Sequence, residues 1–283
     1  MKKVILTLIL LMFGTISFGA CEYKCAEPYD LSSSASRLFS SVTGQRYISQ
    51  EIGEVILKKS ILKNISSKNL KTEIKSFSTR DLKAGRFKSL EIEGKNVVAQ
   101  GVNISYFKAK TLCDFNYIAT TKSGDVIIKE DMPLAVEVVM TEDDINKTME
   151  SAEYKRLVDD INGLGGSFNI FQINSTYVRL KNNKMYYVMK YTIPFVKKPK
   201  EVVLSADLRV ENGEIKLANT ALLGNSMSLD LNKFSAILNY INPLDFSVKI
   251  QENRNAKFNI SNIKIEDKKI SADGIMIILK DKE

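Results

Sequence analysis

Residues 133–144 read PLAVEVVMTEDD, and the periodicity of this stretch changes at residue 141. Alternate apolar side chains before that point fall on one face of a strand: Leu134, Val136, Val138 and Met140. The residues that follow have the pattern of a capping box, with Thr141 as N-cap and Asp144 where glutamate is commoner. The stretch therefore predicts a strand with one apolar face that leads directly into a helix.

Strand patterns flank this stretch on both sides. Period-2 alternation occurs at 70–76 and 90–104, and later strands are separated by turn pairs such as Asn182-Asn183 and Asn212-Gly213. Ser151 is expected to open a second short helix that ends near Asn162. Asp230 is expected to cap another helix, which stops at Pro243. No parallel β-α-β rhythm is present, so the sequence predicts an α+β domain with antiparallel sheets.

The clearest long helix is predicted at 46–63. Its apolar residues fall mainly within a third of the circumference, with Leu57 and Ile61 on the opposite side. A helix with apolar residues on two sides is expected to pack inside the protein. The larger stripe is expected to face inward and consists of Ile48, Ile52, Val55, Ile56 and Leu62.

The N-terminus has the pattern of a secretory signal. Lys2 and Lys3 precede an apolar stretch, and small and polar residues follow up to Cys21. The 17 residues from 4 to 20 fall short of the about 20 that a spanning helix needs, which favours a cleaved segment over a retained anchor. We therefore expect residues 1–20 to be a signal peptide, 21–45 a serine-rich tether, and 46–283 the domain. The back half of the tether could equally start the next helix, since Leu38, Phe39 and Val42 lie there.

The three cysteines bear on how the chain is anchored. Residues 17–21, SFGAC, resemble a lipoprotein cleavage motif with Phe18 where leucine is usual, which makes Cys21 a candidate for lipidation. Cleavage after Gly19 is the alternative. If Cys21 is acylated, Cys25 and Cys113 remain available to form a disulfide in an oxidising compartment. A Cys21–Cys25 bridge or free thiols are the other arrangements.

The composition excludes several kinds of chemistry. The chain has no histidine, so it cannot contain a Ser-His-Asp or Cys-His arrangement, and zinc loses its commonest ligand. No phosphate-binding glycine motif is present, and the carboxylate pair at Asp143 and Asp144 suits a helix N-terminus. The net charge of +8 is not concentrated in a basic block. We expect no metal, no cofactor, no nucleic-acid partner and no enzyme activity, with a Ser–Lys hydrolase as the least favoured alternative.

Two segments resemble the LmeA-like phospholipid-binding family. Residues 82–102, LKAGRFKSLEIEGKNVVAQGV, are similar to its paired glycine-containing strands, and residues 133–147 with Ser151 are similar to its strand-to-helix motif. The chain departs from that motif at Met140 and at Thr148-Met149, where the family has Leu and Ala-Leu. The resemblance implies phospholipid binding without catalytic residues, and a strongly curved antiparallel sheet wrapped around a long helix (TULIP-like) in a single elongated domain.

A lipid carrier must supply an apolar cavity, because each CH₂ moved into water costs about 0.8 kcal/mol. The candidates are the inward residues of the long helix and of the strand at 133–140: Ile48, Ile52, Val55, Ile56, Leu134, Val136, Val138 and Met140. Candidate headgroup contacts are Lys83, Arg86 and Lys88, or else Lys197, Lys198 and Lys200. An ordinary filled core is the alternative interpretation of the apolar residues.

The sequence thus predicts an exported phospholipid-binding protein that carries or presents lipid in the bacterial envelope. It would be periplasmic or a membrane-anchored lipoprotein. Its partners would be a phospholipid or other acyl lipid, and the membrane surface through a lipid anchor. An envelope scaffold that binds protein partners is the alternative from another functional class.

Overall fold

The computed structural model describes residue 25 and residues 31–42, 45–121, 126–166, 172–196, 198–223, 240–252 and 256–281. The helices are α1 Ser34–Val42, α2 Gln45–Leu62, α3 Thr79–Lys83, α4 Glu142–Met149, α5 Ala152–Gly166 and α6 Pro243–Glu252. The first strands are β1 Ile65–Lys75, β2 Arg86–Phe87, β3 Ser89–Ala99, β4 Val102–Thr111, β5 Asn116–Thr120, β6 Val126–Ile128 and β7 Met132–Thr141. The later strands are β8 Gln172–Lys181, β9 Lys184–Thr192, β10 Lys200–Glu211, β11 Glu214–Leu223, β12 Ala256–Glu266 and β13 Lys269–Ile278.

The strands form three antiparallel sheets. The largest has six strands in the order β1-β3-β4-β7-β13-β12, the second has the order β11-β10-β9-β8, and the smallest has the order β2-β5-β6. In the largest sheet β7 pairs with β4 and β13, so that Val136 is opposite Ala109 on one side and Gly274 on the other. The predicted α+β class with antiparallel sheets is confirmed, within a single domain.

The hairpins turn where the sequence indicated. Asn182 and Asn183 have φ values of 53° and 56°, and Asn212 and Gly213 have values of 54° and 79°. Two successive residues with positive φ define the tight hairpin turn whose twist matches that of paired strands. Both predicted turns are confirmed.

The change of periodicity at residue 141 is also confirmed. The Asp144 backbone N–H donates to Thr141 Oγ1 at 3.2 Å, and the Thr141 N–H donates to Asp144 Oδ2 at 2.8 Å, which completes the capping box. Ser151 Oγ accepts a hydrogen bond from the Tyr154 N–H at 3.2 Å at the start of α5. That helix continues to Gly166, past the predicted end near Asn162.

The long helix α2 lies on the edge strand β1 of the largest sheet. The Ile74 N–H donates to Glu54 Oε1 at 2.9 Å, and Thr72 Oγ1 donates to the Glu54 carbonyl at 3.3 Å. Leu57 is buried on this side, whereas Val55 is 53% exposed. The predicted inward orientation is therefore wrong at Val55 and at Leu62, which is 40% exposed, because periodicity identifies a stripe but not the neighbour that covers it. The wrapping of the sheet around the helix stays a prediction.

Part of the predicted tether is attached to the domain. A disulfide joins Cys25 to Cys113, and the Ser32 N–H donates to Asp81 Oδ1 at 2.8 Å. Helix α1 then contacts α2 and α3. The helix predicted from Asp230 falls outside the described residues. Pro243 begins α6, in the place that proline favours in a first helical turn.

Candidate functional site

An apolar cavity of about 430 Å³ lies between α2, α3 and the smallest sheet. This volume is in the range of small-ligand sites, which bury most of a ligand against hydrophobic side chains. Lys83 is the one charged residue among the described residues that line it. The others are Gly53, Ile56, Leu57, Ile74, Leu82, Ala84, Gly85, Phe87, Ile118, Ala119, Thr120 and Val126.

Gly85 sets the distance between α3 and the floor of the cavity. Its φ is +78°, and a Cβ at this position would lie 1.7 Å from the Ile118 carbonyl oxygen. The Ile118 N–H donates to the Gly85 carbonyl at 2.9 Å, so the two backbones are in direct contact. Only glycine combines this conformation with this approach.

A second glycine keeps space open on the helix side. A Cβ at Gly53 would meet Ile74 Cδ1 at 3.5 Å and Leu82 Cδ2 at 3.6 Å, which is ordinary van der Waals contact. Alanine would therefore fit at this position, whereas a larger side chain would extend into the cavity or displace its lining. The cavity depends on the small size of residue 53 as well as on the turn at Gly85.

The three predicted headgroup residues lie close together in sequence but have different surroundings. Lys83 is in the last turn of α3 and lines the cavity. The Arg86 guanidinium lies over the Tyr117 ring, 5.6 Å from its centroid, which is a favourable cation–π geometry. Lys88 is exposed between β2 and β3. Their contact with a lipid headgroup stays a prediction. Of the alternative set, Lys197 is outside the described residues, Lys200 begins β10, and Lys198 precedes that strand.

The helix residues predicted for the cavity separate into three cases. Ile56 lines it and is 42% exposed at its edge. Val55 instead lines a neighbouring depression together with charged side chains that include Glu51, Glu54 and Lys58. The side chains of Ile48 and Ile52 lie outside the described part of the chain.

The strand residues predicted for the cavity are packed elsewhere on the largest sheet. Leu134 and Val136 are buried in a small cluster with Ala109. Met140 belongs to the main core between the two larger sheets, and Val138 packs against that core. None of the four lines the cavity. Ile278 packs against both the Leu134 cluster and the cluster that contains cavity residues Leu57 and Phe87.

A buried polar network fastens the N-terminal segment next to the cavity. The Ser32 and Ser78 hydroxyls donate to Asp81 Oδ2 at 2.7 Å and 2.6 Å. Burial acts to raise the pKa of Asp81, but hydrogen bonds from Ser78 and Ser32, aided by the charge of Arg37, outweigh it and lower the pKa below its ordinary value. The carboxylate is thus held ionised and positions α3, whose residues line the cavity.

Several lining residues were not singled out from the sequence. Leu82, Ile118 and Val126 come from three separate elements, and β5 has no clear alternating pattern. Leu82 is the first residue of the segment 82–102 that resembles the family, and this resemblance was the one sequence feature that could have identified it as a lining residue. The cavity is formed by elements that are individually too short to show a marked periodicity.

The remaining chemical features of the described residues have structural roles. Asp144 belongs to the capping box, and Asp143 pairs with Lys147 at 2.6 Å. No cluster of three or more metal-ligating side chains occurs in the part of the chain that the structure describes. Among those same residues, no helix is both long and apolar enough to cross a bilayer.

A family comparison adds to this geometry. The model of the LmeA-like phospholipid-binding family matches residues 43–271. The chain belongs to this family. No curated protein and no solved structure matches this chain. The matched range includes α2, α3 and all three strands of the smallest sheet, so the cavity lies wholly within the part that defines the family.

Proposed function

We propose that this protein holds a phospholipid acyl chain in the cavity between α2, α3 and β5, and carries or presents the lipid in the cell envelope without covalent chemistry. The observation that carries the proposal is an apolar hollow of about 430 Å³ in a chain of a phospholipid-binding family. An acyl chain gains about 0.8 kcal/mol for each CH₂ removed from water. Apolar lining at Leu57, Phe87 and Ile118 supplies the required surroundings.

Lys83, the one cation among the described lining residues, suits the charge of a phospholipid. Lys83 is exposed at the end of α3 while it also contributes to the cavity wall. A lysine can place its methylene groups along an apolar surface and its ammonium group in water. We therefore assign Lys83 to the phosphate, with the tail directed toward Leu57.

The sheet provides a continuation for a longer or second tail. Ile278 connects the cavity cluster to the cluster of Leu134 and Val136, so apolar side chains extend from the cavity along one face of the largest sheet. We propose a TULIP-like arrangement, in which the largest sheet curves around α2 and the two enclose the lipid between them.

The cysteine pairing supports an exported location. A Cys25–Cys113 disulfide suits an oxidising compartment. It uses two of the three cysteines, so the third, Cys21, remains for acylation. We propose a periplasmic protein or a lipoprotein of the envelope.

Native mass spectrometry of the purified full chain tests the proposal with two neighbouring variants. Ile56→Asn places an amide in the cavity wall, which costs about 1–3 kcal/mol and should lower phospholipid retention about tenfold. Val55→Asn is the matched control, because Val55 is on the same helix and is similarly exposed but lines the charged depression. It should retain lipid like the wild type.

Three results would contradict the proposal. Equal retention in both variants would show that the cavity does not hold the lipid. A wild-type protein that is empty and bound to a protein partner would indicate a scaffold. Release of free fatty acid from bound phospholipid would indicate a hydrolase.

A further inference from the structure

We propose that the end of the largest sheet next to the cavity, called here the cavity end, is a docking surface for an anionic lipid bilayer. This inference rests on the proposed function and adds the route by which lipid enters. The cavity end is where β1 and β4 finish and β3 and β7 begin. It carries α3, the smallest sheet, the disulfide and the start of the described chain.

The charge at the cavity end is arranged for an anionic surface. Residues 80–88 contain Arg80, Lys83, Arg86 and Lys88, and Asp81 is the one acidic residue among them. Asp81 is buried and accepts hydrogen bonds from within the protein, whereas Arg80, Lys83 and Lys88 are exposed. Basic residues close to an anionic membrane each strengthen its binding.

Acidic side chains also lie at this end, where Asp114 and Asp131 are exposed, and two of its carboxylates accept hydrogen bonds from the backbone. Asp131 Oδ1 accepts from the Lys280 N–H at 2.8 Å, and Asp281 Oδ2 accepts from the Ile128 N–H at 2.7 Å. These bonds hold both carboxylates beside the last residues of the described chain. The exposed basic side chains of 80–88 therefore form a separate stretch on α3 and β2.

Exposed apolar side chains accompany this charge. Leu38 of α1 is 70% exposed, Leu112 beside the disulfide is 46% exposed, and Ile56 at the cavity edge is 42% exposed. Apolar side chains among basic residues are typical of surfaces that insert into the headgroup boundary of a bilayer. Insertion here would bring the cavity edge to the level at which acyl chains begin.

The opposite end of the sheet has a different character. Basic residues on α5 and at the β12–β13 turn, such as Arg156 and Lys268, are exposed there. Exposed acidic residues accompany them at Asp159, Asp160 and Asp267. This mixture gives that end little net attraction for an anionic surface.

The course of the chain agrees with the same orientation. Cys25 is bound to Cys113 at the cavity end. The four residues from Cys25 back to Cys21 can span at most about 14 Å. An acyl anchor on Cys21 would therefore hold this end, and not the opposite one, against the membrane.

Vesicle sedimentation tests the docking surface with residues outside the cavity lining. The full chain is used in a Cys21→Ala background, so that no acyl anchor contributes, with vesicles of equal parts phosphatidylcholine and phosphatidylglycerol. Leu38→Asn combined with Arg80→Gln should lower partitioning at least tenfold, through the loss of one inserted side chain and one charge. Added salt should weaken wild-type binding because it screens the charge.

The matched control is Leu62→Asn combined with Arg156→Gln, which makes the same chemical changes at positions away from the cavity end: Leu62 ends α2 next to the start of β1, and Arg156 is on α5. Its partitioning should stay within twofold of the wild type. Equal binding by the Leu38/Arg80 variant, or equal loss in the control, would overturn the docking surface.

Lipid retention, measured on the same proteins by native mass spectrometry, separates the two proposals. The Leu38/Arg80 variant should retain phospholipid once loaded, because neither residue lines the cavity. A wild-type protein that retains phospholipid but does not sediment with vesicles would overturn docking alone. A wild-type protein that sediments but never holds phospholipid would overturn the proposed function alone.

Discussion

Replacing Gly85 by alanine should remove both stability and lipid retention. The added Cβ would lie 1.7 Å from the Ile118 carbonyl oxygen, and residue 85 would keep a φ near +78°. Neither problem can be relieved by a side-chain rotation, because alanine has none and the opposing atom is backbone. We expect α3 and β5 to separate, which opens the floor of the cavity.

The magnitude follows from three contributions. A non-glycine residue in the left-handed region costs about 1–2 kcal/mol. Separation of the backbones loses the Ile118 N–H to Gly85 carbonyl bond of 2.9 Å, a net loss of about 0.5–1.5 kcal/mol. Displacing the apolar contacts around Phe87 and Ile118 lowers the free energy of unfolding further. We expect the free energy of unfolding to fall by about 3 kcal/mol or more, which is at the upper end for single substitutions.

Urea unfolding of the oxidised protein measures this change. The control is Gly163→Ala in α5, where a Cβ meets no atom of the described residues within 4 Å. It should leave stability unchanged or raise it by up to about 1 kcal/mol, as glycine-to-alanine changes in helices do. If Gly85→Ala unfolds with the wild-type free energy, the close approach of α3 to β5 is wrong, and so is the cavity built on it.

Two further predictions concern the N-terminal segment. Cys113→Ser should lower the free energy of unfolding by about 4 kcal/mol, since the disulfide closes a loop of 88 residues. A reductant should destabilise the wild type by a similar amount and leave the stability of the variant unchanged. A wild type whose stability does not change in reductant would disprove the pairing. Folding lowers the pKa of Asp81 from its ordinary value of about 3.8. The ionised carboxylate therefore stabilises the folded protein fully above the pKa of the unfolded state, and this stabilisation is lost as the pH falls through the pKa of the folded state. Urea titrations should therefore show Asp81→Asn less stable than the wild type at neutral pH, with the gap closing below pH 4; a constant gap would contradict the network.

The sequence predicted those features of the fold that depend on neighbouring residues. The capping box at Thr141 and Asp144 forms over three residues, and the hairpin at Asn212-Gly213 needs only two residues that tolerate positive φ. The short helix α3 was missed, because the five residues from Thr79 to Lys83 are too few to show an apolar period. The helix α1 was predicted only as the alternative to a tether, because its serine content is typical of a tether.

The site was predicted less completely than the fold. Lys83 and Ile56 were named and do line the cavity, but Leu134 and Val136 lie in a packed cluster nearby. A strand pattern shows that a face is apolar. It does not show whether that face is covered by other side chains or left open, since both require the same residues.

The sequence by itself determined the α+β class, the hairpin turns, the capping box and the family, because each of these is encoded over short stretches. Only the tertiary structure decided that Leu57 is buried whereas Val55 stays exposed, and that Gly53, Leu82 and Ile118 meet around one hollow. Burial depends on which surface arrives from a distant part of the chain. That choice is made by the packing of the whole domain, and no local pattern records it.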